Sequence, residues 1–150
     1  MQRRPPVLRT VLNTIGAALF AFFAWLQHED DNPDIYAEPS RIDIFLWVAF
    51  YGLVACLFAA AALRRFPRWP FLLVASLGTY HLATTVPGFL DNLRAGGGFE
   101  VAKESMSPDR AEVELSREFF GSLIALAAAA LVWIQRPGEE ESEEKPAAGS

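Results

Sequence analysis

Four long stretches of the chain carry no Asp, Glu, Lys or Arg: Val11 to Leu26, Ile44 to Leu63, Pro70 to Leu90 and Phe119 to Ile134. Nearly all the charge falls between them. Runs of roughly 16 to 21 apolar residues match the ~30 Å hydrocarbon layer of a bilayer at ~1.5 Å of helix rise per residue, once flanking interfacial residues are counted. The pattern is not the polar-faced periodicity of a soluble bundle helix. Leu53 to Leu63 (LVACLFAAAAL) and Phe120 to Ile134 (FGSLIALAAAALVWI) are apolar all round. The fold expected is therefore all-α, an integral membrane antiparallel four-helix bundle. Its membrane domain covers residues 1–136, with spans at about 10–27, 42–63, 69–90 and 118–135 and outer loops at 28–41 and 91–117. Residues 137–150, with five Glu and no aromatic, read as a disordered acidic tail.

Local chemistry agrees with four helices. Asn32-Pro33 is turn chemistry that ends the first one. Ser40 with Asp43 three residues on resembles a capping box at the start of the second. Ser107-Pro108 has the order of a helix start, so the fourth helix is expected from there to about Ile134, its charged first turns in water. Ala95 to Gly98 reads as a flexible break. Small residues recur four apart in each span: Ala17 and Ala21; Gly52, Cys56 and Ala60; Ala75, Thr79 and Ala83; Gly121, Ala125 and Ala129. In lipid, helices associate where backbones approach closely, so these stripes are expected at the contact faces.

Composition sharpens the class without changing it. The chain is 52% hydrophobic yet 21% charged, which is the signature of segregated charge. No A-x-A cleavage site follows the first apolar run, so it reads as a span rather than a removed signal. The single cysteine, Cys56, excludes an intrachain disulfide and a Cys-based zinc site, and is expected to serve packing. No basic patch interleaved with aromatics is present, so nucleic acid is not an expected partner. Of the 13 Lys and Arg, eight lie on the amino-terminal arm, the short link with Arg64, Arg65 and Arg68, and the tail. The positive-inside rule then puts both termini in the cytoplasm and the two acidic loops outside. The Ala and Arg bias points to a bacterial inner membrane.

Threaded this way, the polar residues converge toward the outer end. Gln27 and the acids Glu29, Asp30, Asp31 and Asp34 leave span one; Trp47 and Tyr51 lie one and two turns into span two; Tyr80, His81, Thr84 and Thr85 lie in span three; Arg117 and Glu118 enter span four. His81 is the only strongly polar, ionisable residue inside any apolar run, and an ionisable group at depth marks a site to be explained. Its plainest reading is a neutral imidazole bonded to a neighbouring Thr or Tyr; proton sensing or ligand binding is the alternative. The acids Asp30, Asp31 and Asp34 offer the oxygen ligands a calcium ion takes, but without EF-hand order. The favoured role for that cluster is a clamp, Arg117 pairing with Asp31 or Asp34 across the mouth of the bundle. The candidate outer-mouth cluster is thus Gln27, Asp31, Asp34, Trp47, Tyr51, His81, Arg117 and Glu118, with no metal, cofactor or catalytic residue assigned.

Gln27 followed by Asp31-Asn32-Pro33-Asp34, then Trp47-x-x-x-Tyr51, and finally Glu114-x-x-Arg117-Glu118-x-x-Gly121 resembles the transmembrane protein 220 family, small four-span membrane proteins. The resemblance covers roughly residues 8 to 135. It is close at R-E-x-x-G; the turn departs from the family's N-D-P-D, with Asn and Asp exchanged and about nine extra residues before Trp47. It implies a fold and no established activity. Three functions follow, in this order: a structural or accessory protein acting through helix contacts with a membrane partner or a second copy, an outward-facing small-ligand or cation binding or transport protein, and a membrane enzyme. The absence of any Asp or Glu inside a span stands against proton-coupled export.

Overall fold

The computed structural model describes residues 6–29, 34, 40–95 and 109–136. Among them the chain is all helical. Helix α1 spans Pro6–Leu26 and runs into a 3-10 turn at Gln27–Glu29; α2 spans Arg41–Ala62, α3 Trp69–Arg94 and α4 Ala111–Trp133. The 21, 22, 26 and 23 residues of these helices make rods of ~31 to ~39 Å. Several expectations fall outside the described residues: the cation site at Asp30 and Asp31, the Asn32-Pro33 turn, the glycine break after Ala95, the Ser107-Pro108 helix start and the acidic tail.

Three helices, α1, α2 and α4, are long and apolar enough to cross a membrane. α3 has the length but not the hydropathy, and the difference from the four uncharged apolar runs expected has a local cause. It carries Ser76, Thr79, Tyr80, His81, Thr84, Thr85, Pro87, Asp91 and Asn92. Its hydroxyls are quenched by its own backbone: Thr79 donates to the Ala75 carbonyl at 2.8 Å and Thr85 to the His81 carbonyl at 2.7 Å, which lowers the cost of a hydroxyl in an apolar setting. The assembly is a helical membrane bundle.

The helices pair as two hairpins. α1 lies along α2, α3 lies along α4, and α2 joins the hairpins by touching both α3 and α4. Beyond Pro70, the buried positions of α3, at Phe71, Val74, Gly78, His81, Thr85, Gly88 and Asn92, alternate spacings of three and four, the seam of left-handed helix packing. Gly78 and Gly88 are where the α3 backbone meets α4: a Cβ at Gly78 would collide with the Leu126 side chain, and one at Gly88 with that of Leu115.

The α4 stripe is a contact face as expected, with Ala125 and Ala129 buried, and the α1 stripe is one in part, with Ala17 packed against the core and Ala21 exposed. Ala75, Thr79 and Ala83 are exposed, and so is Cys56, which is not a packing residue; nothing lies within 4 Å of a Cβ at Gly52. The physical reason is that α2 packs chiefly with its large residues, Trp47, Phe50, Val54 and Leu57, joined by Ala61, and turns Cys56 outward.

Both polar ends are built differently from what spacing suggests. Ser40 is the N-cap of α2 but its hydroxyl makes no capping bond. α2 closes on Arg64 at φ 56°. The Arg65 N–H donates to the Ala60 carbonyl at 2.8 Å and the Arg64 N–H to the Ala61 carbonyl at 3.0 Å, the bond pair of a Schellman motif with arginine where glycine is usual. Near this same end, Asn13 of α1 and Gln135, just past α4, exchange side-chain amide bonds at 2.9 and 3.3 Å. Arg136 donates to the Phe66 carbonyl at 3.4 Å and its guanidinium lies 4.1 Å from the Trp133 ring centre.

Candidate functional site

The buried seam of α3 carries its polar groups toward the other end. His81, Thr85 and Asn92 are each 1% exposed. His81 lies midway along α3, ~20 Å from Arg94, farther from the outer end of its helix than a span ending at Leu90 would put it, because the helix runs four residues past that end.

Across from it on α2 stands Trp47, 3% exposed. The imidazole stacks on the indole with ring centres 3.8 Å apart at 27°. Phe50 at 5.3 Å and Tyr80 at 5.4 Å complete an aromatic sleeve around the imidazole. The plain expectation for His81, a bond to a neighbouring Thr or Tyr hydroxyl, is not what occurs: the Thr84 and Thr85 hydroxyls bond its carbonyl oxygen rather than its ring. The imidazole instead meets the Leu46 backbone of α2, and Nε2 has no partner. A neutral imidazole donating to a carbonyl through one nitrogen presents the other as an acceptor. The Trp47 indole Nε1, a donor only, is also buried without a partner, as are both amide atoms of Asn92.

Tyr51, one turn from Trp47, explains a glycine. Its ring lies 5.5 Å from the Trp47 ring and 5.9 Å from Phe23 of α1, and a Cβ on Gly121 would lie 2.5 Å from its hydroxyl. The Trp-x-x-x-Tyr pair and the Arg-Glu-x-x-Gly entry therefore meet in space, and the tyrosine hydroxyl rests where α4 has no side chain. Because Tyr51 and Gly121 are in contact on helices running the same way, Trp47 and Arg117, each four residues earlier, occupy one level. Arg117 and Glu118 are half-buried.

Gln27 lies in the 3-10 turn that packs on α2, half-buried at the same end. Asp34 is exposed in a turn, and Asp31 lies outside the described residues. Among the described residues no three His, Cys, Asp or Glu gather as a metal site would require. The cluster expected from the sequence thus divides: Trp47, Tyr51 and His81 are joined ring to ring, Arg117 stands at their level with Glu118 half-buried beside it, and Asp34 is exposed. Asn92 was missed. Its signal was present, since it continues the three-and-four spacing of His81, Thr85 and Gly88.

A bundle of apolar helices enclosing polar aromatic and amide groups defines a small multi-helix membrane protein. The chain belongs to a family of such proteins: the model described as Transmembrane family 220, helix, matches residues 19–134, the range that holds every residue of the site. No curated protein and no solved structure matches the chain.

Proposed function

We propose that this protein is a non-catalytic, outward-facing binding protein of the membrane, with a small polar ligand held between α2, α3 and α4 at the level of Trp47 and His81. One observation carries the reading: an indole N–H, an imidazole nitrogen and a whole carboxamide are buried in this half of the bundle without partners. A buried polar group left unpaired costs ~1–3 kcal/mol, and a bound molecule that supplies the missing bonds is one explanation for several together. The donor on Trp47 beside the acceptor on His81 suits a ligand that both accepts and donates, such as a hydroxyl, better than a cation. In this reading α3 is the fourth span, both termini are cytoplasmic, and the acidic end faces outward from a bacterial inner membrane.

Native mass spectrometry of the chain released gently from its own membrane tests this. A small adduct is expected on the native protein and absent from His81→Ala and Trp47→Phe. A bare chain in every case would refute it.

A second reading, the accessory protein that sequence alone ranks first, draws support from α1. That helix packs along α2 alone and leaves Val11, Ile15, Phe22 and Trp25 exposed, a face that suits a partner helix or a second copy. A protein that co-purifies stoichiometrically and is lost on Ile15→Arg would favour it.

A further inference from the structure

We infer that the basic end of the bundle is a phosphate-binding face that holds the headgroup of an anionic lipid. Five arginines meet there from three parts of the chain. Arg9 lies one turn from Asn13 on α1; Arg64, Arg65 and Arg68 form the link between α2 and α3; Arg136 follows α4. Two contacts bring these parts together: the Asn13–Gln135 amide pair ties the start of α1 to the end of α4, and Arg136 on the Phe66 carbonyl ties the end of α4 to the link.

Charge at this end has one sign among the described residues. Asp34, Asp43, Asp91, Asp109, Glu112, Glu114 and Glu118 all belong to the opposite end of their helices or the adjoining turns. Arg9, Arg64 and Arg65 are exposed and make no ion pair among the described residues. Guanidinium groups match phosphate oxygens two bonds at a time, and uncompensated arginines close to an anionic leaflet draw its lipids.

The surroundings fit a lipid better than a soluble anion. Leu63, Trp69 and Ile134 project outward beside the arginines, with Trp69 62% exposed, so acyl chains have an apolar surface directly next to the charge. Tryptophan at this position is also the residue that settles at the headgroup level. The Arg136 guanidinium is already held against Trp133 and lies 5.7 Å from the Phe71 ring centre, so it presents its charge in a fixed place.

The test uses the full chain in a neutral detergent, titrated with phosphatidylglycerol, phosphatidylcholine or inorganic phosphate while thermal unfolding is followed. Phosphatidylglycerol is expected to raise Tm saturably, phosphatidylcholine not. The triple variant Arg9→Gln, Arg64→Gln, Arg65→Gln should need at least about tenfold more phosphatidylglycerol for half the effect, whereas Arg41→Gln, Arg94→Gln at the other end should need the same amount. An equal response of the triple variant overturns the site, and an equal response to inorganic phosphate overturns the lipid. A full-length chain with Glu139, Glu140, Glu141, Glu143 and Glu144 changed to Gln decides the remaining rival. If phosphatidylglycerol acts only on that variant, the acidic tail occupies the face and the proposal falls.

Discussion

Asn13 and Asn92 are the same residue at the same 1% exposure, at opposite ends of the bundle, and their amides are treated oppositely. Asn13 exchanges two bonds with Gln135. Asn92 has neither of its polar atoms paired. Inside the basic end the chain pairs its own groups, with the amide pair, the Schellman turn and the stacked Arg136, while Arg9, Arg64 and Arg65 face outward. The acidic half holds donors and acceptors that the chain does not satisfy. That asymmetry, more than any one residue, separates an interior whose buried amide is paired by the chain from one whose buried polar groups are not.

The largest effects come from one buried and one half-exposed tryptophan. Trp47→Ala is expected to cost ~3–5 kcal/mol in unfolding free energy, as loss of a large core side chain does. Trp133→Ala, at a residue already 46% exposed, should cost well under half as much. Similar losses would mean that the two ends are packed alike. Next, Gly121→Ala drives a Cβ into the Tyr51 hydroxyl and should cost ~1–3 kcal/mol; Gly52→Ala meets nothing and should be neutral or slightly stabilising.

The asparagines give the sharpest contrast. In delipidated detergent, Asn13→Leu should destabilise by ~1 kcal/mol because Gln135 loses its partner, whereas Asn92→Leu should be neutral or stabilising, since no bond is lost. An equal penalty at Asn92 would show that the protein itself pairs that amide. Smaller again, Arg64→Gly relieves a positive φ and should stabilise by up to ~1 kcal/mol.

The smallest effect is a pH dependence at the acidic end. The carboxyl of Glu112 is held below its ordinary value, first by its own backbone N–H in the first turn of α4 and next by Arg110 at 3.2 Å. A lowered folded-state pKa means that this stabilisation is present above the ordinary value of about 4.5 and fades as pH falls below it. Glu112→Gln should therefore lower Tm slightly at about pH 7, and by progressively less as the pH falls below about 4.5.

The helices and most of the site were legible in the sequence because uncharged runs and isolated polar residues are strong signals in a membrane protein. His81, Trp47 and Tyr51 stood out as polar or amphipathic groups in apolar surroundings. The contact faces were less legible. Small residues four apart pointed to the outward side of α2 and α3, since in alanine-rich helices such spacings occur on every face. The informative period was the three-and-four alternation from Phe71 to Asn92, which mixes sizes and chemistries. The role of Gly121 could not be read locally at all, because the group that needs its missing side chain is Tyr51, on another helix.

The central claim is that the Trp47 indole and its neighbours are completed by a small polar ligand, retained when the protein is taken gently from its own membrane. The most direct test is the indole 15N–1H signal of Trp47, recorded in nanodiscs drawn straight from the cell membrane and again after exhaustive delipidation. A hydrogen-bonded signal that shifts to that of a free indole on delipidation, with Trp133 unchanged, is the predicted result. A Trp47 signal that is free and identical in both preparations would contradict it.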